Sequence, residues 1–239
     1  MKILYFDCTS GVSGDMLLSS LFSILGIDKF KELKGRIPFS DVDVSIKNVL
    51  RSEISCLQIE VRRENDQPKN IDEVFEIIDN SIFDEDIKEK GKKIFRMIAE
   101  TEAELHRKDI TEIHLHELSF IDSIFEILGV LFAIKELNVE KIYSSKIPVG
   151  RGVIEILHGK IPVPAPATLE ILKGLPIYQV PIEEEITTPT GSAILKNIVS
   201  EFGVFPEMKV IDIGYGAGKK EILELPNFLR AILGERIFT

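Results

Sequence analysis

The pattern of apolar residues predicts an α+β (mixed α/β) protein, with mixed sheets and flanking helices. Three observations carry this. A strand–loop–helix unit opens the chain, residues 42–49 and 54–61 alternate like an antiparallel pair, and helices and short strands follow without a strict strand–helix–strand series. No fixed-period repeat and no low-complexity tract interrupts that order.

Taken in turn, residues 3–6 read as a short buried strand and 16–25 as a helix ended by Gly26. The alternating pair is broken at the polar Arg51-Ser52. Residues 62–70 are charged and hold Pro68, so they read as a loop and a boundary. The expected division is an N-terminal lobe, 1–67, and a helical and mixed-sheet lobe, 68–239. Helices are expected over 71–81 and 84–106, the second with a charged solvent face. Residues 112–116 alternate strictly, as an extended segment does. Ser119, with Asp122 three residues on, reads as the cap of an apolar helix running to about Leu137. Strands near Ile142 and over 153–157 come next, then a helix over 165–173 entered through Pro162, Pro164 and Pro166. A strand over 177–180, a helix over 189–202 and strands near Val210 and Leu229 complete the order.

The 29 basic and 39 acidic side chains leave a formal charge of −10, which argues against a duplex nucleic-acid binder that neutralises phosphates. A 44% share of hydrophobic residues excludes wholesale disorder. Cys8 and Cys56 are too few for a disulfide framework and suit reduced, buried thiols. The opening apolar run is cut by Asp7, unlike a signal peptide, and the most apolar stretch, 16–27, falls short of the ~20 residues that span a bilayer. The expectation is a cytoplasmic protein with no membrane partner.

Several segments carry candidate chemistry. Asp7-Cys8-Thr9-Ser10-Gly11-Val12-Ser13-Gly14-Asp15 lies between strand and helix. Gly11 and Gly14 allow a tight turn and close approach to a ligand, Ser10 and Ser13 offer hydroxyls, and the helix adds the positive end of its dipole. The segment lacks the Gly-Lys-Ser/Thr ending of a Walker A loop, and Asp7 and Asp15 oppose a bare phosphate unless a metal or a ligand hydroxyl intervenes. The plainer reading is a glycine-rich turn capped by Asp15.

His114-Leu115-His116-Glu117 places two imidazoles on one side of an extended segment. With carboxylates nearby, that donor set suits Zn or Ni. Asp122 and Glu126 stand one helical turn apart on a stripe with Gly129, which on a plainer reading is the solvent side of an amphipathic helix. A lone histidine such as His158 is more often structural than a ligand, and His106 reads as a partner of its helix's C-terminal dipole. Thr188 reads as a cap with Pro189 at the first helical position. Its hydroxyl and that of Thr190 suit a phosphate or carboxylate, although capping explains most of the pattern. Gly214-Tyr215-Gly216-Ala217-Gly218-Lys219-Lys220 has the wrong glycine spacing for a dinucleotide loop and reads as a flexible turn, anion-contacting through its lysines.

Together these segments resemble the nickel insertion protein family, LarC. The resemblance rests on the Phe6–Met16 block, His114-Leu115-His116-Glu117 with Ile121-Asp122-Ser123-Ile124, Pro162-Val163-Pro164-Ala165-Pro166-Ala167-Thr168, Thr187-Thr188-Pro189-Thr190-Gly191 and the late glycine run, in that order. It implies insertion of nickel into a dithiolated pyridinium mononucleotide by a chelatase or cyclometallase of the lyase class. The product is the pincer cofactor of lactate racemase and related enzymes, and CTP with Mg or Mn drives the reaction in the full-length form. On this reading His114, His116 and His158 handle the metal, and Glu117 and Asp122 are catalytic. Asp7, Ser10, Gly11, Ser13, Gly14, Asp15, Thr188 and Thr190 hold the mononucleotide.

Family members are generally longer, so the chain is similar to their N-terminal part and a C-terminal partner chain or domain is expected, as is a homo-oligomer. The sequence departs from the family at Leu118-Ser119-Phe120-Ile121, where Val-Gly-Ala-Val is usual, and at Glu126, where Asp is usual. The competing expectations are a metal-dependent phosphoester hydrolase and a non-catalytic, precursor-binding half of a split protein.

Overall fold

A computed structural model describes residues 1–39, 41–63, 70–113, 120–156, 159–222 and 224–237. Its first elements are β1 (Lys2–Asp7), α1 (Gly14–Leu25), α2 (Ile27–Arg36), β2 (Val42–Arg51), β3 (Ile54–Arg63), α3 (Ile71–Asp79), α4 (Glu85–His106) and α5 (Phe120–Glu136). There follow β4 (Lys141–Ser144), β5 (Ile147–Val149), β6 (Val153–Ile156), β7 (Gly159–Pro162), α6 (Pro166–Ile171) and β8 (Ile177–Gln179). The last are α7 (Pro189–Ile198), β9 (Glu201–Phe202), β10 (Met208–Ala217) and β11 (Phe228–Arg236).

A seven-stranded sheet runs in the order β2-β3-β10-β11-β1-β4-β9. It is mixed, as the sequence predicts: β1 pairs antiparallel with β11 and parallel with β4, and β10 pairs antiparallel with β11 and parallel with β3. The β2–β3 hairpin turns through Ser52 and Glu53, both at positive φ (47° and 63°), the geometry whose twist matches the flanking strands. Strands from both predicted lobes share this sheet.

Alternation along the strands sorts side chains to two faces. Leu4, Phe6, Leu229, Ala231, Leu233 and Ile142 join the main core, while Ile3, Tyr5, Ile232 and Tyr143 form a thin cluster on the other face. Helices α1 and α5 cover the main face. The run Phe120–Ala133 of α5 is buried on nearly every side, which is why its apolar residues show little amphipathic period. Between Gly26 and the predicted β2 strand the sequence also forms α2, whose Phe30 packs edge-on against Phe22 of α1 at 5.2 Å and stacks against Phe125 of α5 at 6.3 Å.

Two sequence expectations change. The segment read as a flexible turn begins inside β10. A Cβ on Gly214 would sit 1.9 Å from the Ser20 carbonyl oxygen, and one on Gly216 would sit 2.2 Å from that of Met16. The glycines let α1 lie directly on the strand backbone; they are contact residues, not hinge residues. The helix expected to reach residue 202 stops at Ile198, because Val199 is extended (ψ 129°) and Glu201–Phe202 pair with β4.

Caps follow the local sequence. Asn70 and Glu73 form a reciprocal capping box at α3, and Gly26 closes α1 at φ 90° with its N–H on the Phe22 carbonyl. Gly35, near the end of α2, has open space where a Cβ would go. Gly35→Ala is therefore expected to raise stability by about 0.5 kcal/mol, read as a higher urea midpoint with an unchanged slope.

Candidate functional site

The loop after β1 meets the entry to α7. Val12 bridges Thr187 in parallel, the Val12 N–H donates to the Ile186 carbonyl (2.9 Å) and the Thr188 N–H donates to the Val12 carbonyl (3.0 Å). Gly191 makes this approach possible, since a Cβ there would lie 2.6 Å from the Val12 oxygen. The amino ends of α1 and α7 are thereby stitched side by side. Thr188 caps α7 by accepting from the Gly191 N–H at 3.2 Å, with Pro189 in the first turn.

Both ends open on a cavity of about 630 Å³, within the range that suits a small-molecule ligand. Its polar lining includes Ser13, Asp15, Asp122, Ser123, Glu126, Thr188, Thr190 and Lys219, and its far wall includes Glu102, His106 and Glu185. Met16, Ile154, Ile161, Ile186 and Ile222 supply apolar surface.

The centre of the site is a group of charges brought from three parts of the chain. The Lys219 Nζ donates to Asp122 Oδ2, and the Lys219 backbone N–H donates to Asp15 Oδ2 at 3.2 Å. The other Asp15 oxygen accepts from the Ser13 hydroxyl and from the Met16 N–H (2.9 Å). The segment that delivers Lys219 is fixed in place: the Gly218 carbonyl accepts from Gln58 (2.7 Å) and Arg51 (3.1 Å), and Asn227 donates to the Lys220 carbonyl (2.6 Å).

Glu126 is half-buried beneath these groups, against the start of α1. A Cβ on Gly14 would lie 2.2 Å from Glu126 Oε2, so only glycine leaves room for the carboxyl. Burial pushes its pKa up to about 8; the Asp15 and Asp122 carboxylates add to the rise, while Lys219 and the Asp15 backbone N–H oppose it. Burial alone would lower the Lys219 ammonium, but Glu126, Asp122 and Asp15 outweigh it and leave the pKa raised.

Of the residues singled out in the sequence, Ser13, Gly14, Asp15, Asp122, Thr188 and Thr190 line the cavity together. Asp7, Ser10 and Gly11 do not. Asp7 is ion-paired with Arg230 of β11 and accepts from the Thr9 hydroxyl. Ser10 is buried, and Gly11 is packed under the Ile186 carbonyl. His114, His116, Glu117 and His158 lie outside the described residues. Among the described residues, no group of three His, Cys, Asp or Glu side chains is placed to hold a metal ion. No described helix is long and apolar enough to cross a membrane. Cys8 and Cys56 are buried free thiols.

Three residues that line the cavity carry no site motif in the sequence: Lys219 sits in a glycine run that reads as a flexible turn, His106 reads as a dipole partner, and Glu126 as one edge of a helix stripe. The stripe itself was the usable signal for Glu126, because Asp122 and Glu126 do face one way, into the cavity.

A mixed sheet with two helix amino ends, several carboxylates and a lysine around one cavity defines an α+β protein with a charged, small-molecule-sized cavity. The particular family follows from comparison. The chain belongs to the nickel insertion protein family, whose profile matches residues 4–238.

A pyridinium-3,5-bisthiocarboxylic acid mononucleotide nickel insertion protein from Staphylococcus epidermidis is 41% identical over 241 residues, covering 99% of this chain and 60% of that one. The protein of the same name from Desulfitobacterium hafniense is 41% identical over 239 residues, covering 98% and 59%. A Dictyoglomus thermophilum protein is likewise 41% identical over 239 residues, covering 99% and 62%. The chain thus spans about three fifths of the length of these curated relatives. No solved structure matches it.

Proposed function

We propose that this chain takes part in inserting nickel into the pyridinium-3,5-bisthiocarboxylic acid mononucleotide for which its relatives are named, as a chelatase-like protein of the cytoplasm. Nickel is a substrate here, not a resident cofactor. The supporting observation is the convergence of the family's ordered blocks on one cavity: Ser13-Gly14-Asp15, Asp122 and Thr188 with Thr190. The cavity's charges match such a ligand. Its carboxylates suit a pyridinium ring and a divalent cation, while the paired amino ends of α1 and α7, with the Thr188 and Thr190 hydroxyls and Lys219, suit a phosphate and thiocarboxylates.

His114 and His116, with His158 and Glu117 assisting, receive Ni²⁺ in this proposal. Imidazoles bind nickel less softly than thiolates, so they can surrender it to the precursor's sulfurs. CTP with Mg or Mn, and a C-terminal partner portion, belong to the longer form.

The test is metal analysis of the purified chain after exposure to Ni²⁺. Retained nickel is expected to fall to near background in the His114→Ala/His116→Ala double variant. An unchanged stoichiometry would overturn the metal assignment. Because the chain spans only three fifths of its relatives' length, a second reading is a precursor-binding half of the machinery. Its signature is tight mononucleotide binding with no nickel retained by the chain alone.

A further inference from the structure

Resting on the proposed nickel insertion, we infer that Glu126 is the base that takes the ring proton from the substrate as the metal–carbon bond forms, and that Gly14 leaves the room in which it stands to do so. The chemistry that calls for a base follows from the substrate class. Thiocarboxylates at ring positions 3 and 5 flank carbon 4, so an ion held by both sulfurs lies against that carbon. Bonding between the two displaces the hydrogen there as a proton. The C–H electron pair becomes the carbon–nickel bond, no oxidant or reductant is needed, and the proton must be accepted by a nearby group.

Among the described residues, five carboxyl groups line the cavity, and four of them are otherwise engaged. Asp122 is held by the Lys219 ammonium, and both Asp15 oxygens accept hydrogen bonds, from Ser13, Met16 and Lys219. Glu185 accepts from the Thr168 hydroxyl at 3.3 Å, and Glu102 lies 3.5 Å from His106. Among the described residues, Glu126 has no ion pair and accepts from no side chain, its one donor being the Asp15 backbone N–H, and it faces the cavity from α5. The charged groups around it are Asp15 from α1, Asp122 from its own helix and Lys219 from the segment after β10. Glu102 and His106 of α4, Glu185 and Lys220 stand elsewhere on the cavity wall.

The geometry is specific to this carboxyl. Gly14 leaves no side chain where Oε2 sits, so the acid reaches the amino end of α1. There a backbone N–H steadies the carboxylate without taking up the whole group. A carboxyl titrating near 8 is an acid–base group matched to neutral pH, strong enough as a base to take a proton and able to give it up to water afterwards. An Asp at this position is one methylene shorter and would draw the acceptor back from the cavity.

The test uses the full chain, NiCl₂, and the mononucleotide carrying hydrogen or deuterium at ring carbon 4, with CTP and Mg²⁺ present. Mass spectrometry follows loss of the ring hydrogen, and equilibrium binding is measured in parallel. Wild-type protein is expected to lose the label at a rate that climbs with pH to a plateau above about 8. Glu126→Gln should bind the mononucleotide and nickel as before, yet lose the label at least about 100-fold more slowly, with that pH dependence gone. Glu126→Asp, which keeps a carboxyl, should recover part of the rate and guards against a folding defect in the amide variant.

Label loss by Glu126→Gln at the wild-type rate and pH profile overturns the assignment while leaving nickel insertion intact. Weakened binding that accounts for the whole loss of rate also overturns it, by making Glu126 a structural group. Wild-type protein that takes up neither nickel nor mononucleotide overturns the functional reading itself, and the base assignment with it.

Discussion

Gly11→Ala is expected to cost about 3 kcal/mol or more, the largest stability loss of any single methyl added to this chain's loops. Two independent penalties combine. Gly11 has φ +97°, where an L-residue is strained, and a Cβ there would sit 2.0 Å from the backbone oxygen of Ile186. A flexible side chain could swing aside, but a carbonyl that already accepts the Val12 N–H cannot move without breaking that bond. The damage spreads to the site, because the same bond and the Val12–Thr187 bridge align the amino ends of α1 and α7. Gly26→Ala is the control: its φ of +90° is similar but nothing lies within 4 Å, so only the conformational penalty of ~1 kcal/mol applies. Urea unfolding of the two variants separates crowding from strain. Similar midpoints for both would show that the packing around Gly11 is not as described.

Stability is expected to fall as pH rises from about 4.5 to about 8, and Glu126→Gln to remove much of that fall. The sign follows from the raised folded-state pKa. Between those values the native chain keeps a proton on Glu126 that the unfolded chain has released, so the native state binds more protons and unfolding becomes easier as pH climbs. Below the ordinary glutamate pKa both states are protonated and the contribution is fully present; above about 8 both are ionised and it is gone. One such group sets a slope of at most ~1.4 kcal/mol per pH unit. Asp7 works in the opposite direction. Burial would raise its carboxyl, but Thr9 and Arg230 outweigh that and lower it, so its contribution is lost only as pH falls into the acid range. Denaturation midpoints across the neutral range, for wild type and Glu126→Gln, isolate the one group. Parallel curves would mean that Glu126 is ionised in the native state.

Local patterns were legible where one residue's fate depends on near neighbours. The β2–β3 hairpin came from alternation, α4 and α5 from helical periodicity, and the α7 cap from Thr188-Pro189. What escaped depended on partners far along the chain. The glycines of the 214–218 run look the same in sequence whether they make a hinge or receive a helix; only the seating of α1 on β10 decides. Asp7 looks like a ligand group until Arg230, 223 residues away, neutralises it. Lys219 reaches Asp122 across 97 residues, a pairing that no motif spacing reveals. The signal for α2 was local and usable: Phe30 and Leu33 stand three apart and are both buried, directly after the glycine that ends α1.

The placing of β11 between β10 and β1 has a consequence for how the protein is made. The adjacent fourth and fifth strands of the sheet, β11 and β1, come from opposite ends of the described chain, with Lys2 opposite Glu235. While the ribosome is still translating residues before 228, β1 and β10 lack the strand that joins them, so the nascent chain carries two half-sheets with open edges. Completion of the sheet therefore waits until β11 has been made. Such long-range closure is slow compared with helix formation, and during that interval the chain is at its most vulnerable to off-pathway strand pairing and most in need of chaperone protection.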